Sequence, residues 1–159
     1  MSINTDGSVK QPGSLAAAGG LIRDWTGRCV DAFVENLGIC TITRAEIKAA
    51  IRGLQMAWRK GYRKVHIQMD STTAVNILSS QNQTEHRYLN LVQQFKGLVQ
   101  QDWEVKISHT YRECNKAADF LANKGHGVSI GYHDFRIDDP GLSFWILYDT
   151  LSIAQSRLI

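Results

Sequence analysis

The 159-residue sequence predicts an α/β domain built on a five-stranded mixed sheet, three antiparallel strands followed by parallel crossovers, with flanking helices. Two observations carry this. Apolar residues alternate in short segments near the start, then recur with a period of about 3.6 from residue 43, where Ile47, Ile51, Leu54 and Trp58 form one stripe. Alternation returns over 64–70, where Val65, Ile67 and Met69 interleave with His66, Gln68 and Asp70, and strand, helix, strand in that order implies a parallel crossover.

The elements follow in order. Ile3-Asn4-Thr5-Asp6-Gly7-Ser8 reads as a strand and turn, with Pro12 and Gly13 extending the turn through 9–14. Residues 16–25 run small and apolar into Asp24-Trp25-Thr26-Gly27, a hairpin signal, and 28–37 alternate imperfectly, as a strand near a sheet edge does. The long helix stops at Lys60-Gly61 with cations in its last turn. A short helix over 71–80 is joined by a polar link, 81–85, to a second with the stripe Leu89, Val92, Phe95 and Val99. Trp103, Val105 and Ile107 mark the fifth strand, and 113–124 a further helix stopped by Gly125. The main domain is therefore expected over 1–125, with 126–159 a tail carrying a short apolar helix packed on it.

Composition supports one ordinary core: 43% of residues are apolar and 21% charged, without an internal break. Cys29, Cys40 and Cys114 match neither a disulfide framework nor zinc-ligand spacing, so a reducing location, nucleus or cytoplasm, is expected. No apolar run reaches the ~18 residues of a membrane span, and no signal-peptide pattern opens the chain. A net charge of +3 suits a polyanionic partner without singling one out. The first strand begins almost at Met1, which leads us to expect a piece of a longer polypeptide.

Four carboxylates stand out, each with an ordinary explanation beside a chemical one. Asp6 suits an Asp-Gly turn; Thr43-Arg44-Ala45-Glu46 has the form of a capping box; Asp70 suits the cap of the helix that follows it; Asp119 suits a solvated helix face. Central strands of one sheet would bring the four together. Clustered carboxylates raise one another's pKa, so such a group normally holds a cation, and hard oxygen donors without Cys or His suit Mg²⁺ or Mn²⁺. Two such ions roughly 3.5–4 Å apart would serve phosphodiester hydrolysis.

Thr5-Asp6-Gly7-Ser8, Ala45-Glu46, Met69-Asp70-Ser71 and Asn115-Lys116-Ala117-Ala118-Asp119-Phe120-Leu121-Ala122 together resemble the type 1 ribonuclease H family, over about 3–124. The chain is most similar to the plant branch found in LINE-type retrotransposons, and Gly131-Tyr132-His133 and Pro140-Gly141-Leu142 resemble tails of that branch. The resemblance implies a two-metal site of Mg²⁺, with Mn²⁺ as substitute, on Asp6, Glu46, Asp70 and Asp119. It implies cleavage of the RNA strand of RNA–DNA hybrids to 5′-phosphate and 3′-hydroxyl ends, and it matches His109 to the family's mobile histidine; the residue-level alternative is a loop histidine.

Two departures qualify the resemblance. Thr41, Ile42, Thr43 and Arg44 stand where many members carry asparagines that reach the minor groove, and 81–101, with only Arg87 and Lys96, is too short for the basic protrusion of many members. The chain thus resembles the archaeal-like, handle-less subgroup, and substrate contacts are expected from Gly7, Ser8, Lys10, Thr41, Thr43, Arg44, Ser71, Thr72, Arg112, Asn115 and Lys116. A monomeric domain covalently joined to a reverse transcriptase is expected. A catalytically silent nucleic-acid-binding module of the same fold, or a DNA transposase or resolvase on a related fold, stays open at this point.

Overall fold

The structure, a computed structural model, describes residues 1–80 and 85–157. Of the expected polar link 81–85, all but Glu85 lies outside the described residues. Three strands, β1 (Ser2–Lys10), β2 (Leu15–Arg23) and β3 (Cys29–Ile39), form an antiparallel meander. β1 runs past Asp6 and Gly7 to Lys10, so the first turn lies later than the sequence suggests, with Gly13 at φ +100° and Ser14 at +54°. The second turn is held by Asp24, whose Oδ1 accepts the N–H of Thr26 at 2.9 Å and of Arg28 at 3.1 Å.

Helix α1 (Ile42–Arg59) leads into β4 (Lys64–Met69), parallel to β1; α2 (Thr72–Ser79), a 3-10 turn (His86–Tyr88) and α3 (Leu89–Val99) lead into β5 (Glu104–His109), parallel to β4. A second 3-10 turn (Arg112–Cys114) precedes α4 (Lys116–Lys124), which is shorter than the helix expected over 113–124. The tail contributes β6 (Gly131–Asp134) and α5 (Pro140–Arg157).

Among the described residues the sheet has six strands, not five, in the order β5-β4-β1-β2-β3-β6. β6 pairs antiparallel with β3 through Phe33–Asp134, Val34–His133 and Glu35–Tyr132. Tyr132 stacks on Phe33 with centroids 5.5 Å apart, and its hydroxyl accepts from Arg59 at 3.0 Å. β3 is consequently interior, and its imperfect alternation has a physical reason: Phe33 packs on the α1 side while Ala32 and Val34 pack on the α4 side.

Helices cover both faces of the sheet, giving two apolar layers. One joins Ile3, Ile22, Phe33 and Ile67 to Ile47, Ile51 and Leu54 of α1 and to Val92 and Phe95 of α3. The other joins Leu21, Ala32 and Val34 to Ala117, Ala118 and Leu121 of α4 and Leu142 of α5. Small residues set the spacing: a Cβ on Gly19 would run into the backbone at Leu121 and Ala122, so α4 lies directly on β2.

The tail helix is long, 18 residues, rather than short. Leu142 is fully buried, and Trp145 and Ile146 pack on the second layer, whereas Phe144, Leu147 and Leu151 stay exposed. Leu142→Ala is therefore expected to cost about 2–5 kcal/mol in urea unfolding. Leu151→Ala should stay within about 0.5 kcal/mol of the parent chain; equal effects of the two would contradict this packing.

Candidate metal centre

Register brings the acidic residues together. Thr5 pairs with Met69 and Met69 with His109, and pairing of β1 with β4 ends there. The next residue on each strand is Asp6, Asp70 and Thr110, so two carboxylates stand side by side where the parallel pairing of β1 with β4 ends. Asp6 lies within β1, opposite Gly19, and is not a turn residue.

Glu46 reaches the same place from α1. A Cβ on Gly7 would stand 2.8 Å from Glu46 N and 2.9 Å from Ala45 C, so glycine alone lets this helix start lie on β1. The Gly7 N–H donates to Asp6 Oδ1 at 2.9 Å and to Glu46 Oε2 at 3.1 Å. One oxygen from each of Asp6, Glu46 and Asp70 lies within 4.8 Å of the others.

The ordinary explanations for these residues give way. The N-cap of α1 is Thr41, accepting from Arg44 N at 3.4 Å, so Thr43 and Glu46 form no capping box; Glu46 is 6% exposed and faces Gly7. Ser71, not Asp70, caps α2 by accepting the Ala74 N–H at 3.1 Å. Asp119, half-buried in the first turns of α4, stands outside the close trio, yet its charge acts on Asp6 and Asp70.

Electrostatics make the group costly on its own. Burial first, then the charges of Glu46, Asp70 and Asp119, push the Asp6 carboxyl far above the usual range. Burial and Asp70 raise Glu46, and burial raises Asp70 against the opposing pull of Asn115 and Arg112. A divalent cation would relieve all three, and the donors are hard carboxylate oxygens without Cys or His, the set that suits Mg²⁺ or Mn²⁺. The residues fit a metal.

Around the trio lies a polar frame that sequence reasoning did not resolve. Asn115, expected at the substrate, is fully buried: its Nδ2 donates to the Thr5 carbonyl at 3.1 Å, its Oδ1 accepts from Asn4 at 3.3 Å, and its side chain favours the ionised form of Asp70 nearby. Asn123, one turn after Asp119, donates to Asp119 Oδ1 at 3.4 Å and accepts from Ser8 Oγ at 3.1 Å, and His126 meets Ser8 Oγ at 3.0 Å. The i, i+4 spacing of Asp119 and Asn123 was the available signal.

The remaining expected contacts separate by exposure. Lys10, Thr41, Thr72 and Arg112 are exposed; Thr43, Ser71 and Lys116 are half-buried; Gly7 is buried. Arg44 is spent on the Arg87 carbonyl, to which its Nη1 donates at 2.7 Å, and the Lys116 N–H is spent on Asp149. His109 ends β5, exposed, with its ring edge-on to Tyr111 at 5.7 Å and its charge acting on Asp70.

A metal-free consequence follows from the raised carboxyls. The folded chain keeps protons that the unfolded chain loses from about pH 4 upward, so this cluster's contribution to stability falls as pH rises from there through neutrality. With a chelator present, Asp6→Asn should be more stable than the parent at about pH 8 and show a flatter decline in denaturant titrations. A variant less stable than the parent at that pH contradicts the electrostatic reading.

Known proteins share this chain's sequence pattern and fold. A family profile described as "Reverse transcriptase-like" matches residues 4–125. The Arabidopsis thaliana protein named "Putative ribonuclease H protein At1g65750" is 36% identical across all 159 residues, which span only 26% of its length. The RNase H1 of Halobacterium salinarum superposes at a TM-score of 0.73 with 25% identity, over 78% of this chain and 95% of that one. The N-terminal RNase H domain of Rv2228c from Mycobacterium tuberculosis gives 0.73 and 25%, over 79% and 92%. LC11-RNase H1, solved in complex with an RNA/DNA hybrid, gives 0.72 at 23% identity over 79% and 96%, a likeness of fold. The chain belongs to the reverse transcriptase-like family and is a ribonuclease H-like domain.

Proposed function

We propose that the chain is a metal-dependent endonuclease that hydrolyses the RNA strand of RNA–DNA hybrids, leaving 5′-phosphate and 3′-hydroxyl ends. The observation that carries this reading is the close trio Asp6, Glu46 and Asp70, gathered where the parallel pairing of β1 with β4 ends and α1 starts against β1. It is supported by the hybrid bound to a protein of the same fold, LC11-RNase H1, and by the likeness to RNase H1 of H. salinarum.

Asp6, Glu46 and Asp70 would hold the metal, with Asp119 beside them; two Mg²⁺ ions are the expected complement, and Mn²⁺ substitutes. Mg²⁺ held there would supply the positive charge that phosphodiester hydrolysis calls for. The Gly7 N–H fixes the Asp6 and Glu46 oxygens, and Asn115 favours the ionised form of Asp70. His109, exposed at the rim, offers an imidazole for proton transfer, and exposed Arg112 and Lys10 offer charge to phosphates. No base is read; the 2′-hydroxyl and the groove shape of the hybrid distinguish the substrate.

The chain spans about a quarter of its Arabidopsis relative, and we place it as one domain of a longer retrotransposon-type polyprotein carrying a reverse transcriptase. Free Cys29, Cys40 and Cys114 agree with a reducing compartment, nucleus or cytoplasm. Labelled RNA–DNA hybrid, duplex RNA and duplex DNA incubated with the chain and Mg²⁺ test the reaction. The hybrid's RNA strand alone should be cut, cutting should stop with chelator, and Asp70→Asn should cut nothing detectable. Undiminished cleavage by Asp70→Asn would sink the mechanism, and tight hybrid binding without cleavage in either metal would make the domain a silent binding module.

A further inference from the structure

Asp149 lies in α5, outside residues 4–125 that carry the family match, yet it is a carboxylate only 3% exposed. Its two oxygens accept the first two N–H groups of α4: Lys116 N at 2.8 Å and Ala117 N at 2.9 Å. These are orphan donors at a helix start, where a carboxylate is favoured by both hydrogen bonding and the helix dipole.

The residue that would ordinarily cap α4 cannot do so. Asn115 occupies the N-cap position at φ −129°, ψ 27° and makes no side-chain capping bond. Its amide is committed to the Thr5 carbonyl and to Asn4, and from there it favours the ionised form of Asp70. The cap has been moved from the neighbouring residue to a distant helix, and the neighbour serves the metal site instead. A buried guanidinium lies between them: Arg23 donates through Nη2 to Asn4 Oδ1 at 2.8 Å, and feels the Asp149 charge without an ion pair to it. Arg23, Asn4 and Asn115 thus form one buried hydrogen-bonded chain under the site, with the charge of Asp149 acting at one end and half-buried Asp70 at the other.

We infer that Asp149 is a positioning residue for the metal centre: by capping α4 from the tail, it leaves Asn115 free to favour the ionised form of Asp70 and fixes the helix that carries Asp119. This rests on the reading of the trio as a metal site. The tail helix is then a working part of the site and not only a cover for the second apolar layer.

The test uses the full chain, Asp149→Ala and Asp149→Asn, each checked by circular dichroism to be folded at the assay temperature. Mn²⁺ affinity is titrated by paramagnetic resonance, and kcat and KM are measured on hybrid. Outer-shell partners of this kind are worth about 10–100-fold in metal affinity or activity. Asp149→Ala should weaken Mn²⁺ binding and lower kcat by about tenfold or more, with KM nearly unchanged. Asp149→Asn, which keeps one acceptor, should fall between, and it carries the test if the alanine variant does not fold. A lowered melting temperature with Mn²⁺ affinity and kcat at the parent's values would reduce Asp149 to tail packing and overturn the inference. A parent chain that binds Mn²⁺ but cuts nothing removes the nuclease reading and leaves this one to the titration; a parent with no Mn²⁺ affinity overturns both.

Discussion

The Gly7 N–H, shared between Asp6 and Glu46 at 2.9 and 3.1 Å, is the contact on which the rest of the structure depends. It joins a strand carboxylate to a helix carboxylate that would otherwise repel each other in a buried setting. For that joint to exist, α1 must start against β1, which the missing Cβ of Gly7 permits, and Gly53 lets the same helix continue against Ile3 and Thr5. For Asp70 to join them, β4 must lie parallel beside β1 in the register that pairs Thr5 with Met69. The crossover through α1 and the close helix–sheet packing are the geometric conditions of the acidic trio. Its residual repulsion is what a bound cation would relieve.

Much of the architecture was legible where one periodicity dominated. α1 and β4 each bury one face, so their apolar residues recur regularly, and Gly61 at φ +92° ends the helix as the sequence suggests. β3 misled because both of its faces are covered, which erases alternation and makes an interior strand resemble an edge. β6 was missed because Gly131–Asp134 has almost no apolar content; it is held by backbone pairing, Tyr132 stacking on Phe33 and a bond from Arg59. α5 was shortened because apolar residues lie all around it, leaving no stripe to measure.

The site divides in the same way. Asp6, Glu46 and Asp70 could be nominated because motifs mark them, and the fold brings them together. Their supports could not. Asn115 has the look of a surface contact in the sequence but sits at zero exposure, because only the fold puts Thr5, Asn4 and Asp70 around it. Asp149 stands 33 positions from Lys116, and nothing local to it signals a cap. Even the capping box at 43–46 was a local pattern overruled by a longer-range bond, since Glu46 serves Gly7 while Thr41 caps the helix. Interactions distant in sequence escape pattern reading, and here they do most of the positioning.

The central claim is that a divalent cation would relieve the raised, buried carboxyls of Asp6 and Glu46. Calorimetric titration of Mg²⁺ at neutral pH, repeated in buffers of different ionisation enthalpy, measures the protons that leave on binding. The account predicts binding with net proton release, reduced in Asp6→Asn. Proton-neutral binding, or none in the parent chain, would contradict it.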